Sequence, residues 1–210
     1  TPSYPSLIMA DNELPLFPLD MVLLPSRKVP LHIFEERYKQ MMGECLEQDT
    51  EFGLIWGTDD QFCDIGCAAR VTQLITEFPD GRMNIMIEGT RRVRVLDRQD
   101  IHSYISGFVE NVEDDTEAYD IELGNHLKKR YAEAIQLSIG WTKPPPPTED
   151  LSLISYMVAA NLSLPLEQQQ NLLENTSVNS RLQIVTEILE SALTGLKEIK
   201  RRTRGNGHLA

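Results

Sequence analysis

The chain has 210 residues, 41% hydrophobic and 25% charged, which supplies apolar material for one large domain or two small ones. Its net charge of −12 argues against broad electrostatic binding to nucleic acid or anionic lipid. No apolar run approaches the roughly 20 residues that a membrane-crossing helix needs.

The charge is uneven. Residues 1–113 hold 10 Lys/Arg against 19 Asp/Glu, and residues 114–210 hold 10 against 13. At the far end Lys197, Lys200, Arg201, Arg202 and Arg204 face only Glu198, as expected of a solvated helix C-terminus whose dipole favours cations. A basic tail for nucleic acid or a partner is the other reading. Cys45, Cys63 and Cys67 are few and odd in number, which points to a reducing cytoplasm. The apolar run at 7–10 is too short for a signal core, so residues 1–8 read as a loose leader ahead of a candidate start at Met9.

In chain order, residues 13–19 form a short apolar strand whose Pro15 and Pro18 confine it to an edge or a bulge. A loop follows over 20–28, then a strand over 29–33 containing Pro30. Phe34, Tyr38, Met41 and Cys45 recur at spacings of four, three and four, one face of a helix, with Glu35 and Glu36 in its first turn. Residues 52–57 are a short apolar run. Residues 66–78 are rich in β-branched side chains and end at the turn signal Pro79-Asp80-Gly81. Met83, Ile85 and Ile87 then alternate with Asn84, Met86 and Glu88, a strand with one buried face that Gly89 closes. Val93 and Val95 alternate with Arg92 and Arg94 in a further strand, and residues 103–112 repeat the pattern. Several short strands broken by turns predict a small barrel or sandwich.

The acidic stretch 113–117 marks a boundary, so a β-rich head over 12–115 and a helical bundle over 116–204 are expected. Ile121, Leu127, Tyr131 and Ile135 carry a helical period to about Gly140. Residues 143–148 contain four successive prolines and read as a stiff polyproline connector, with a proline ligand for another domain as the alternative. Apolar residues 151–162 and a shorter segment opening after Pro165 predict two more helices. The last helix begins near Val178 and carries Leu182, Val185, Leu189, Ala192, Leu196 and Ile199 at heptad spacing. The first half of that seam suits packing within the domain. The second half is available for self-association as a homo-oligomer.

No chemistry emerges. A metal site needs about four ligands at suitable spacing. Cys63 and Cys67 fall in a loop and a strand, and His32, His102, His126 and His208 are scattered. Cys45 reads as a core thiol. Glu35 and Glu36 beside Arg37 could form an acid/base cluster, but the plainer reading has them satisfying the helix end or each other. There is no nucleophile elbow, P-loop or dinucleotide fingerprint. Arg91, Arg92 and Arg94 are the head's only basic cluster. With no stacking aromatics nearby they read as a solvated sheet face, with Arg92 and Arg94 on one side. No catalytic residue, cofactor-binding residue or metal ligand is assigned, and no binding residue can be named.

Taken together, Leu14-Pro15-Leu16-Phe17-Pro18-Leu19, Val22-Leu23-Leu24-Pro25 and Pro30-Leu31-His32-Ile33-Phe34-Glu35-Glu36-Arg37-Tyr38 resemble the opening of the N-terminal, substrate-recognising domain of Lon-type ATP-dependent proteases. Gly66-Cys67-Ala68-Ala69-Arg70-Val71, the block from Asp80-Gly81-Arg82 to Val95, Ala159-Ala160-Asn161-Leu162, Leu164-Pro165-Leu166 and Arg181-Leu182 continue the likeness in order, over roughly residues 12–200. The resemblance implies an α+β fold: a β-rich, PUA-like pseudo-barrel with one helix, followed by a C-terminal α-helical bundle. It also implies a non-catalytic, cytoplasmic module that binds unfolded or degron-bearing polypeptides, an adaptor or regulator of proteolysis. The family's ATPase and protease would lie beyond Arg204, where the chain soon ends, so neither activity is expected here. Phe34 and Tyr38 are expected in the core, and the prolines are expected to shape the chain path. A small-molecule or enzymatic role in a cleft between head and bundle is the rival expectation.

Overall fold

Alternation of apolar and polar side chains builds the first part of the chain as a sheet. The computed structural model describes residues 12–100, 103–140 and 148–205; Met9, His102, His208 and residues 143–147 of the expected polyproline connector lie outside them. The chain divides into two compact units between Glu113 and Asp114.

The first unit contains β1 (Glu13–Leu19), β2 (Lys28–Ile33), α1 (Glu36–Gln48), β3 (Phe52–Trp56), β4 (Ile65–Glu77), β5 (Met83–Gln99) and β6 (Ser106–Asn111). The strands lie in the order β2-β5-β4-β3-β1-β6, and β5 pairs with β6 as well, so five of them close into a ring with β2 attached outside it. Closure removes edges from most of the circuit. Leu16, Ile55, Ala68, Val93, Ile105 and Val109 fill the interior.

The expectation that the prolines would place β1 at an edge is corrected. β1 lies between β3 and β6, but its two halves use different neighbours. Residues Glu13, Leu14 and Pro15 pair with β6, and residues from Leu16 to Leu19 pair with β3. Each proline therefore sits where only one side of the strand is paired, and the missing N–H costs no ladder bond on the other. Pro30 does sit on an edge strand, since β2 pairs only with β5 among the described residues.

The expected break at Gly89 is also corrected. β5 runs through it for 17 residues. Ala69 faces Gly89 and Ala68 faces Arg91, so Thr90 is an extra residue and the strand bulges. The backbone of Leu24, from a loop in which Val22, Leu23 and Leu24 are buried, lies against this bulge. Ser26 N–H donates to the Gly89 carbonyl at 2.8 Å, and Gly89 N–H donates to the Arg27 carbonyl at 3.0 Å. A Cβ at position 89 would lie 2.5 Å from the Leu24 carbonyl oxygen. Gly89→Ala is accordingly expected to cost about 1–3 kcal/mol, because backbone must move to admit one methyl. Urea unfolding of the two proteins measures it, and an unchanged midpoint would refute the close approach. Arg92, expected on a solvated face with Arg94, is buried, and only Arg94 remains outside, paired with Glu110 at 3.2 Å.

The second unit contains α2 (Ile121–Ile139), α3 (Leu151–Ala159), α4 (Leu166–Glu174) and α5 (Val178–Gly205). Asp120 caps α2 through the Leu123 N–H at 2.9 Å, and Asp150 caps α3 through the Ser152 N–H at 2.9 Å. Gly140, in the left-handed region at φ 77°, ends α2. Glu117 accepts from the Ser177 hydroxyl at 2.7 Å and from the Asn179 N–H at 3.1 Å, which caps α5 and holds the Glu117 carboxyl below its ordinary range. Along α5 the buried apolar residues are Val178, Leu182, Val185, Leu189 and Leu193. The first half of the heptad seam packs within the unit as expected. Leu193 takes the inward position, while Ala192 and Ile199 are exposed. A straight helix drifts from a strict seven-residue repeat, and packing follows the drift.

Candidate functional site

The head gathers exposed apolar side chains where β2 and the β4–β5 hairpin end. Phe34 is 61% exposed, a correction to its expected place on the apolar face of α1. The chain remains extended through Ile33 and the helix begins only at Glu36, so the helical spacing from Phe34 is fortuitous. Tyr38, Met41 and Cys45 are buried on that face as expected. The His32 ring lies 6.0 Å from Phe34, nearly parallel, and 6.2 Å from Phe78, edge-on. Its Nδ1 is 2.7 Å from Asn84 Oδ1, which orients the ring. The Arg82 guanidinium caps Phe78 at 5.2 Å. Along β4, Leu74 and Ile75 are 42% and 45% exposed.

The hairpin tip is rigidly made. Phe78 N–H donates to the Arg82 carbonyl at 2.8 Å, and Gly81, at φ 80°, donates to the Phe78 carbonyl at 2.9 Å. Lys39 from α1 donates to the Asp80 carbonyl at 2.9 Å. The backbone N–H of Arg82, with its side chain, holds the Asp80 carboxyl below its ordinary range.

The titratable groups nearby are structural. Arg37 pairs with Glu35 at 3.1 Å and with Asp59, and it lies 4.4 Å over the Tyr38 ring. Burial pushes the Tyr38 hydroxyl up to about 12, so it stays protonated at neutral pH. In the helical unit, a separate pair has His126 Nε2 at 2.9 Å from Glu190. Among the described residues no group of three or more His, Cys, Asp or Glu could hold a metal ion. Burial raises the thiol of Cys45 to about 11 and that of Cys67 to about 12. Iodoacetamide at about pH 8 is therefore expected to spare both in the folded protein and to label both in urea. Mass spectrometry reads the outcome, and rapid native labelling of Cys67 would overturn the burial argument.

In the helical unit an apolar groove of about 250 Å³ lies between α4 and α5, lined by Gln168, Asn171, Leu172, Ile184 and Ile188. None of these side chains is an acid, a base or a nucleophile. The surfaces of both units offer apolar area and amides suited to binding.

Residues 13–191 match the model of the ATP-dependent protease La (LON) substrate-binding domain. The chain belongs to the Lon substrate-binding domain family. Lon protease 1 of Hydrogenovibrio crunogenus is 24% identical over 201 residues, covering 87% of this chain and 24% of its own. Lon protease of Escherichia coli K12 is 25% identical over 210 residues, covering 91% and 26%. The chain thus spans about a quarter of the length of the curated Lon proteases it matches. Among solved structures, the Lon N-terminal domain protein from Xanthomonas campestris superposes with a TM-score of 0.64 at 25% identity, over 82% of this chain and 96% of that one. The N-terminal domain of the Mycobacterium avium complex Lon protease superposes at 0.69 and 19% identity, over 85% and 98%, a likeness of fold. The Lon-domain resemblance and the mixed architecture, a six-stranded sheet with a C-terminal helical region, agree with the expectations from sequence. Phe34 and Leu74, exposed in this Lon domain, are residues that periodicity placed inside or did not single out.

Proposed function

We propose that this Lon-family domain recognises unfolded or degron-bearing polypeptide without catalysing a reaction, and serves as an adaptor or regulator of proteolysis. The observation that carries the reading is the family match over residues 13–191, to a domain described as substrate-binding. The exposed side chains of Phe34, Leu74 and Ile75 support it, because exposed apolar surface suits segments that folded proteins keep inside. The three cysteines form no disulfide, which supports a reducing, cytoplasmic setting.

The test is interferometry with immobilised, reduced and carboxymethylated α-lactalbumin, and with the native protein as control. Saturable binding to the unfolded form only, with no cleavage on prolonged incubation, is expected. Equal binding to both forms, or to neither, would refute polypeptide recognition, and peptide products would refute the non-catalytic role.

A further inference from the structure

β4 outlasts its partner on one side. Phe52, Gly53 and Leu54 of β3 pair with Ala69, Ala68 and Cys67 of β4, and the pairing stops there. β4 continues to Glu77 with β5 along one side only; among the described residues no strand pairs with residues 70–77 on the other. At about 3.3 Å per residue, this open edge is roughly 26 Å long. Residues 71–77 are half-buried or exposed, so the edge is accessible.

Open edges attract other chains, and proteins usually blunt them with proline, lysine or inward charges. The second open edge of this sheet, on β2, has such devices: Lys28, and Pro30, which has no N–H to donate. The β4 edge has no proline or lysine; charges stand only at its two ends, Arg70 and Glu77, and its protection is limited to two bulges. Its residues 71–76 are Val71, Thr72, Gln73, Leu74, Ile75 and Thr76, with no charge, proline or glycine in a chain that is 25% charged. Four of the six are β-branched. Leu74 and Ile75 present apolar side chains beside the unpaired backbone.

We infer that residues 70–77 of β4 bind an extended segment of unfolded polypeptide as an added strand, with uncharged and apolar side chains favoured opposite Leu74 and Ile75. The inference rests on the proposed recognition of polypeptide and names its surface and mode. Main-chain hydrogen bonds supply affinity that is indifferent to sequence, which suits a ligand defined by being unfolded. A second copy of this chain fits less well. β4 shifts register between Val71 and Gln73 and again between Leu74 and Thr76. Such bulges twist an edge away from rigid edge-to-edge pairing, whereas a flexible segment can follow the twist.

Hydrogen exchange of the full chain with and without reduced, carboxymethylated α-lactalbumin tests this. Amides within residues 70–77 are expected to exchange about tenfold more slowly at saturation. A short uncharged peptide from the same polypeptide is then compared with its alternately N-methylated twin, which keeps the side chains and loses the donors. The twin is expected to bind at least about tenfold more weakly, as is the unmodified peptide to Leu74→Lys/Ile75→Lys. Both positions are exposed, so the variant should keep the wild-type circular dichroism and melting temperature. Binding without added protection at 70–77, or equal binding by the twin, overturns strand addition and leaves polypeptide recognition standing. No binding by the wild type removes both. A wild-type dimer that the lysine variant converts to monomer makes the edge a self-interface and overturns the assignment.

Discussion

Replacing Arg181 with alanine is expected to destabilise the helical unit by about 3–5 kcal/mol, the cost of stranding one half of a buried ion pair. Arg181 is a large side chain and is fully buried in the unit's interior. Its five N–H donors all find acceptors: Asp114 Oδ1 at 2.6 Å and Oδ2 at 3.0 Å, the Asn175 carbonyl at 2.7 Å, the Ser152 carbonyl at 3.0 Å and the Ser155 hydroxyl at 3.4 Å. The guanidinium also lies 4.5 Å over the Tyr156 ring. One side chain thus ties α3, the α4–α5 turn and the start of the unit to α5. Asp114 is 22% exposed and can recover some water when its partner is lost, which draws the cost towards the lower end. Lysine should rescue little, because one ammonium with three donors cannot span acceptors set out for a planar fork. Removing both charges, as in Arg181→Met/Asp114→Leu, should restore much of the loss, since no lone charge then stays buried. Urea unfolding followed by far-ultraviolet circular dichroism measures all three. A loss below about 1 kcal/mol for Arg181→Ala would mean that the pair behaves like a surface one, and would refute the argument.

In the head the largest single effect is expected at Ile55. Ile55→Ala should cost about 2–5 kcal/mol, from lost apolar burial and from the cavity left behind. Ile55 is fully buried among Leu16, Ala68, Val93, Ile105 and Val109. Its Cδ1 lies only 2.2 Å from where a Cβ on Gly66 would stand, so the glycine is the space into which the isoleucine fits. With no side chain at 66 to relax inward, the hole should stay open. Adding a methyl there cannot refill it, because the same Cβ would stand 2.5 Å from the Leu54 carbonyl oxygen. Ile55→Ala/Gly66→Ala is therefore expected to be no more stable than Ile55→Ala, and Ile55→Val should cost only about 0.5–1.5 kcal/mol. Equilibrium unfolding of the four proteins decides it. Recovery in the double variant would show that the barrel wall is softer than its geometry implies.

Much of the architecture was readable along the chain. Period-two alternation placed the strand that carries Met83, Ile85 and Ile87, and the turn signal at Pro79-Asp80-Gly81 placed the hairpin. The face made by Tyr38, Met41 and Cys45 marks α1, and the helical period ending near Gly140 marks the end of α2. These signals are local: a side chain's neighbours three or four residues away, or a backbone that only certain residues tolerate, decide them. The order of motifs also sufficed to identify the family.

The surface proposed to bind polypeptide was not readable, and neither was the Arg181 anchor. Leu74 and Ile75 look like any apolar strand interior; β3 stops pairing at Ala69 and leaves that edge open, and the length of a neighbour leaves no mark on the strand it abandons. Phe34 followed a helical spacing but lies outside the helix. Asp114 read as part of an acidic boundary, yet it meets Arg181, 67 positions later. Arg92 and Arg94 are two apart on one strand, yet Arg92 is buried and Arg94 exposed. Periodicity and turn chemistry settle what each segment becomes, because those energies arise within a few residues. Which strand ends first, where a ladder slips by one residue and which charge is sealed inside are settled between segments far apart in the chain, and there tertiary packing has the deciding energy.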